Sequence, residues 1–159
     1  MTFGIRVGPA SGQDSEYNIR AELCSDGNTL GYDTLEELNL DMQEERGRIE
    51  AGGEPFNPYL FTLCPGTVFD AENNTVVPSL NNILIGCGAP PVQSNQCVLL
   101  NGDVQVAIGD FADTDFPVET VRLSGVTFSS FTGAAIAGEA SFNTRLELFD
   151  TSFVVSHPV

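Results

Sequence analysis

Apolar and polar residues alternate in short runs along the second half of the chain. Val121 and Leu123 alternate with Arg122 and Ser124, and Leu146 and Leu148 alternate with Arg145 and Glu147. Period-two alternation sends one set of side chains inward and the other outward on a strand. Val98-Leu99-Leu100-Asn101-Gly102 has the same outline, and the three runs start 23 and 25 residues apart. A period in that range, with one supersecondary unit per repeat, marks a solenoid. In register, Val98, Val121 and Leu146 stack, as do Leu100, Leu123 and Leu148, with Arg122 beside Glu147 on the outer face. Each rung then bends into a second apolar strand: Val104 to Ile108, Val126 to Phe128, and Thr151 to Phe153. Asn101-Gly102 and Ser124-Gly125 supply the bend, since glycine tolerates backbone angles that other residues avoid. A strict register sets Gln105 against Phe128, which predicts a one-residue slip or bulge there. A β-sandwich with strands at similar spacing is the competing architecture.

The pattern changes to a helical one between Leu35 and Ala51. Thr34 followed by Glu37 fits a capping box, with Asp33 just ahead. Glu36, Glu37 and Asp41 favour the positive end of the helix, and Arg46 and Arg48 the negative end. Leu35, Leu38, Met42 and Ile49 share a face, in a stripe broken at Glu45. Gly52-Gly53 and Pro55 stop the helix. A stack of parallel rungs needs its first rung covered, because bare core and strand edges otherwise face water. The helix is therefore expected to be an N-terminal cap, with a partner-binding helix as its rival.

The rest follows in order. Met1 to Glu16 is polar and Gly/Ser-rich, a flexible arm or an edge strand through Phe3 to Val7. Tyr17 to Cys24 alternates as a strand, and Ser25-Asp26-Gly27-Asn28 is a turn. Tyr59 to Phe69 is the first full rung, with Leu60, Leu63, Val68 and Phe69 as core candidates. Asp70 to Leu80 is a loop, and Asn82 to Gly86 the next strand. Ala134 to Gly138 has the small residues of a tight corner. One domain results, an arm and cap over residues 1–56 and rungs over 57–159. Val154-Val155 is still strand-like and no second cap is visible, so the last rung is expected to dock on another chain or to continue in a longer protein.

Charge narrows the partners. The net charge is −16, with six Arg and no Lys. Nucleic-acid binding needs a basic footprint, and there is none. Anionic membranes repel such a chain, and no apolar run reaches the roughly 18 residues of a membrane-spanning helix. Met1 to Arg6 lacks the basic start and apolar stretch of a signal peptide. Met1 is thus expected either to start a cytosolic protein or to stand in a mature or recombinant form. The four cysteines favour the second. They sit beside turn residues rather than at metal-ligand spacing, and disulfides imply an oxidising compartment. Cys87 and Cys97 flank a short loop and are expected to pair, leaving Cys24 and Cys64 for each other. Four cysteines allow three pairings, and the other two stay open. In a secreted eukaryotic protein Asn73-Asn74-Thr75 is an N-glycosylation acceptor at Asn73.

Three motifs bring a family into view. Thr62 to Phe69 (Thr-Leu-Cys-Pro-Gly-Thr-Val-Phe) resembles the LCPxTxF signature of secreted right-handed parallel β-helix proteins, abundant in diatoms and related algae. Ile85-Gly86-Cys87-Gly88 with Asn95 to Leu99 is similar to the segment that follows it there. Gly125 to Thr132 (Gly-Val-Thr-Phe-Ser-Ser-Phe-Thr) resembles the next rung. The likeness runs from about Leu35 to Phe153, and Asp150-Thr151-Ser152-Phe153 departs from it by lacking a cysteine. It implies an all-β, pectin-lyase-like, right-handed parallel β-helix with an N-terminal capping helix. It implies no activity and carries over no catalytic residue.

No nucleophile elbow, phosphate loop or zinc motif is present, and His157, the one histidine, cannot build a triad by itself. The densest chemistry is Asp110, Asp113 and Asp115, with Asp103 a bend away. Such carboxylates can bind Ca²⁺ or serve a glycosidase or β-helix lyase, and Asp also simply favours turns. No other cofactor is implied. The expected function is a non-enzymatic extracellular or cell-surface module that binds polysaccharide or a protein partner, the latter through the uncapped C-terminal rung. Ser124, Thr127, Ser129, Ser130 and Thr132 offer hydroxyls on the outer face. A polysaccharide-active enzyme and an accessory subunit of a larger assembly are the alternatives.

Overall fold

A computed structural model describes residues 16–88, 97–108, 119–138 and 144–155. Strands β1 (Glu22–Leu23) and β2 (Leu30–Gly31) pair antiparallel across the Ser25–Asn28 turn. Asp26 closes that turn. Its carboxylate accepts from the Asn28 N–H, the Thr29 hydroxyl and the Thr29 N–H, which together hold it below the usual carboxylate range. Helix α1 (Leu35–Glu50) follows. It begins where the Thr34 hydroxyl accepts from the Glu37 N–H at 3.2 Å. It ends where Gly52 takes φ +106° and the Gly53 N–H bonds back to the Arg48 carbonyl at 2.9 Å.

The remaining strands are short and fall into parallel sheets. They are β3 (Tyr59–Leu63), β4 (Val68–Asp70), β5 (Ile83–Cys87), β6 (Cys97–Leu100), β7 (Val104–Ile108), β8 (Thr120–Ser124), β9 (Val126–Ser129), β10 (Ala134–Gly138), β11 (Arg145–Phe149) and β12 (Ser152–Val154). The first sheet runs β3-β5-β8-β11, the second β4-β6-β9-β12, and the third joins β7 to β10. A single parallel bridge from Val76 to Val106 adds a strand position to the third sheet. The chain therefore visits the sheets in turn and returns one tier further along each time. Tyr59, Ile83, Val121 and Leu146 lie in one row of the first sheet, and Phe69, Leu99, Phe128 and Phe153 in one row of the second.

These rows make the core. Tyr59, Phe61, Leu63, Ile83, Ile85, Val121 and Leu123 are buried with Phe69, Leu99 and Phe128. Each such side chain is worth about 1.5–3 kcal/mol when removed from water. Leu35, Leu38 and Met42 of α1 join the same cluster, so the helix closes the β3 end of the stack. Asn39 fastens it, donating to the Thr75 carbonyl at 2.8 Å and accepting from the Val77 N–H at 3.1 Å. Two disulfides are present, Cys24 to Cys64 between the β1–β2 segment and the end of β3, and Cys87 to Cys97 between β5 and β6 of one tier.

Several expectations change. Val121 over Leu146, Leu123 over Leu148 and Arg122 beside Glu147 (Nε to Oε1 2.9 Å) are as the alternation predicts. Val98, however, lies beside Thr127 and Val68 in the second sheet, not beside Val121. Ile83–Cys87 holds the place it was expected to take. The error arises because residues 97–100 share the apolar outline of residues 121–124 although they are the second strand of their tier and 121–124 the first. Strand β7 accordingly pairs with β10, not β9, and Ala134–Gly138 is a strand rather than a corner. Gln105 needs no bulge to avoid Phe128. It is fully buried, and its amide donates to the carbonyls of Leu99, Asn101 and Ser129 at 3.1, 2.8 and 2.8 Å, stapling the corner to the next tier. At that corner a Cβ on Gly102 would sit 2.7 Å from the Ala71 carbonyl oxygen, so only glycine lets the tiers approach. In the first tier Tyr59 and Phe61 take the inward positions, while Leu60 is half-buried and Val68 exposed. Of residues 17–24, only Glu22 and Leu23 are strand.

Candidate functional site

Of the sequence-predicted site residues, the four cysteines meet in the two expected pairs. Asp110, Asp113, Asp115 and His157 lie outside the described residues. Asn73 is exposed, and the Thr75 hydroxyl two residues on donates to the Val104 carbonyl at 2.8 Å. Ser124 is buried, Thr127, Ser129 and Ser130 are half-buried, and the Thr132 hydroxyl donates to Asp103 at 3.2 Å. The five hydroxyls thus form no continuous outer row. Among the described residues, no group of three or more His, Cys, Asp or Glu is placed to hold a metal.

Two features stand out instead, at opposite ends of the stack. At the β3 end, α1 turns two carboxylates inward. Asp41 accepts from the Arg20 guanidinium at 2.5 Å, from the Tyr32 hydroxyl at 2.6 Å and from the Arg20 N–H at 2.9 Å. Glu45 accepts from the Tyr59 hydroxyl at 2.5 Å and from Arg48 at 2.6 and 2.9 Å. Both acids and both tyrosines are buried. Burial, reinforced by the bond to Glu45, pushes the Tyr59 hydroxyl up to about 12. Burial and the bond to Asp41 push Tyr32 up further still. Both phenols therefore stay protonated donors throughout the neutral range. Every group in this network has a partner inside the protein, so it closes one end and offers nothing to a ligand.

Among the described residues, nothing covers the other end. β11 and β12 are the last strands of their sheets. Val121 and Leu123 are 0% and 2% exposed, whereas Leu146 and Leu148, one tier on in the same rows, are each 38% exposed. Phe128 is 1% exposed, and Phe153, stacked on it at 5.1 Å, is 47% exposed. Phe149, Val154 and Val155 extend the apolar surface. Residues built for the inside of a tier thus face outward, beside the backbone edges of two strands. Arg145 and Arg122 both grip Glu147, at 2.7 and 2.9 Å, and fix the polar rim of this face.

The row that Leu146 and Leu148 share with Val121 and Leu123 follows directly from alternation in Arg145 to Phe149 and was legible in the sequence. The buried acids were not. Asp41 has the placement of an acid near a helix N-terminus, and Glu45 looks like a break in the apolar stripe. The available signal is their spacing: four residues apart, and interleaved with Leu38 and Met42, they belong to the inward face. Comparison with protein-family models, with curated proteins and with solved structures gives no match for this chain.

Proposed function

We propose that the protein is a secreted, right-handed parallel β-helix module of the kind its LCPxTxF-like motif resembles, and that it works by binding rather than by catalysis. In this reading the three sheets are the faces of one coil. The support is the order in which the chain visits them, together with the near-universal right-handedness of parallel crossovers. The two disulfides fit an oxidising compartment, and the extracellular site is the proposal's extension of that.

The open tier carries the functional reading. Its occupant is a second copy of the same chain. The β3 end is covered by α1, so copies cannot stack head to tail, and pairing open face to open face gives a closed two-fold dimer rather than a fibre. Residues 144–155 hold Arg145 against Glu147 and Asp150, so this face is nearly neutral in a chain of net charge −16. Self-association meets the least repulsion there.

Light scattering on the size-exclusion peak tests this. A dimer is expected, more stable at raised salt as the outlying charges are screened. Leu148→Arg places a charge in the middle of the apolar face and is expected to cost about 2 kcal/mol of association, roughly 30-fold in Kd. A monomer at every concentration, or a dimer indifferent to Leu148→Arg, refutes the docking role.

A further inference from the structure

The capped end of the stack has a strand edge in each of the three sheets, and the cap does not cover all of them. In the first sheet the Tyr32 N–H donates to the Thr62 carbonyl and the Cys64 N–H to the Tyr32 carbonyl, both at 2.9 Å. The Leu60 N–H donates to the Tyr17 hydroxyl at 2.9 Å. In the third sheet the side chain of Asn39 takes the Thr75 carbonyl and the Val77 N–H. In the second sheet β4 is the terminal strand, and among the described residues no strand pairs with its outer side.

The pairing with β6 shows which groups are left. Successive residues of a parallel strand direct their backbone groups to opposite sides. The Val98 N–H donates to the Thr67 carbonyl at 3.1 Å and the Ala71 N–H to the Leu100 carbonyl at 2.7 Å, so Thr67, Phe69 and Ala71 face β6. The N–H and C=O groups of Val68 and Asp70 therefore point to the outer side. Phe69 is buried in the core, whereas the side chains of Val68 and Asp70 face solvent, Val68 with 61% of its surface exposed. An edge of this kind is a template for one more strand.

We infer that the outer side of β4 is a docking site for an extended, basic segment of a partner protein, which adds a strand to the second sheet. Charge selects the occupant. Asp70 and Glu72 are exposed. The described arginines are each held by other acids: Arg20 by Asp41 and Glu44, Arg46 by Glu50, Arg48 by Glu45, and Arg122 and Arg145 by Glu147. Among the described residues Asp70 and Glu72 thus have no cation, in a chain without Lys. A second copy would bring another net charge of −16 to this edge, whereas a basic strand is attracted to it. Side chains directly across a ladder interact. A segment with an apolar residue beside Val68 and, two residues away, a Lys or Arg beside Asp70 therefore fits. The site lies at the opposite end from β11 and β12 and does not depend on dimerisation.

The test is nitrogen-15 NMR on the full chain, with an amidated peptide repeating Thr-Val-Thr-Lys as the probe and its Thr-Val-Thr-Glu counterpart as the comparison. With the Lys peptide the backbone amides of Val68 and Asp70 are expected to shift and to exchange more slowly. That of Phe69, already bonded to β6, is expected to change little. The Glu peptide is expected to leave them unchanged, and raised salt to weaken binding of the Lys peptide. Val68→Pro removes one outward donor at an edge position, which proline tolerates, and is expected to weaken binding about 10-fold. Asp70→Asn removes the charge but keeps the oxygen that accepts from the Glu72 N–H. It is expected to weaken binding about 3-fold, and gives the same test should Val68→Pro misfold. No response to the Lys peptide, shifts confined to another surface, equal binding of the Glu peptide, or unchanged affinity in both variants would each overturn the assignment. Slow exchange of Val68 and Asp70 before any peptide is added would overturn it too, because this chain or a second copy would then already occupy the edge.

Discussion

Asp41→Ala is expected to lower the unfolding free energy by about 1–3 kcal/mol, the cost of removing the buried acceptor of a phenol and a half-exposed guanidinium. The Asp41 side chain is wholly buried and takes three hydrogen bonds, from the Arg20 guanidinium, the Arg20 N–H and the Tyr32 hydroxyl. Its loss strands the Tyr32 phenol, and an unpaired buried polar group alone costs about 1–3 kcal/mol. Arg20 keeps only Glu44, whose carboxylate is more than half exposed. Asp41→Asn keeps the volume and one acceptor oxygen and is expected to cost less. Urea denaturation measures both. If Asp41 served only the helix dipole on a solvated surface, the loss would stay within about 0.5 kcal/mol. A double mutant with Tyr32→Phe sharpens the test. The two losses are expected to be less than additive, because they remove the two halves of one contact.

Opening the Cys24–Cys64 disulfide is expected to cost more than opening Cys87–Cys97. The residues are 40 apart in the first and 10 in the second. In the chain-entropy account a longer closed loop restrains the unfolded chain more, which gives about 4 kcal/mol for the first and about 2.7 kcal/mol for the second. The position adds to the difference in kind. Cys24–Cys64 joins the β1–β2 segment to the end of β3, whereas Cys87–Cys97 spans one connection within a tier. Paired Cys→Ala variants, denatured in urea side by side, measure the two contributions. Equal losses, or a larger loss at Cys87–Cys97, contradict the account.

Alternation was enough to place β8 and β11 in register and to predict Arg122 beside Glu147, because one face of each strand is apolar and the other polar. The helix was legible from Thr34 and Glu37 at its start and Gly52-Gly53 at its end, since capping is local chemistry. Tier assignment before β8 was not legible. Val98-Leu99-Leu100 and Val121-Arg122-Leu123 look alike as strings, and what separates them is their place in the tier, second strand or first, a property of the whole stack. Gln105 was opaque for a related reason. A glutamine inside a core looks like a mismatch until the three carbonyls that receive its amide are known. The bare edge of β4 was opaque because only the stacking shows which strand ends each sheet and what covers it.

That stacking underlies the open tier and the bare edge of β4 alike, and backbone nuclear Overhauser contacts across β6 test it most directly. Parallel tiers place Val98 beside Thr127 on one side and Val68 on the other, with Leu99 flanked by Phe128 and Phe69. Amide-to-α-proton contacts between Val98 and Thr127 are the predicted result. Contacts linking Val98 to Val121 instead would shift β6 into the first sheet and undo both surfaces.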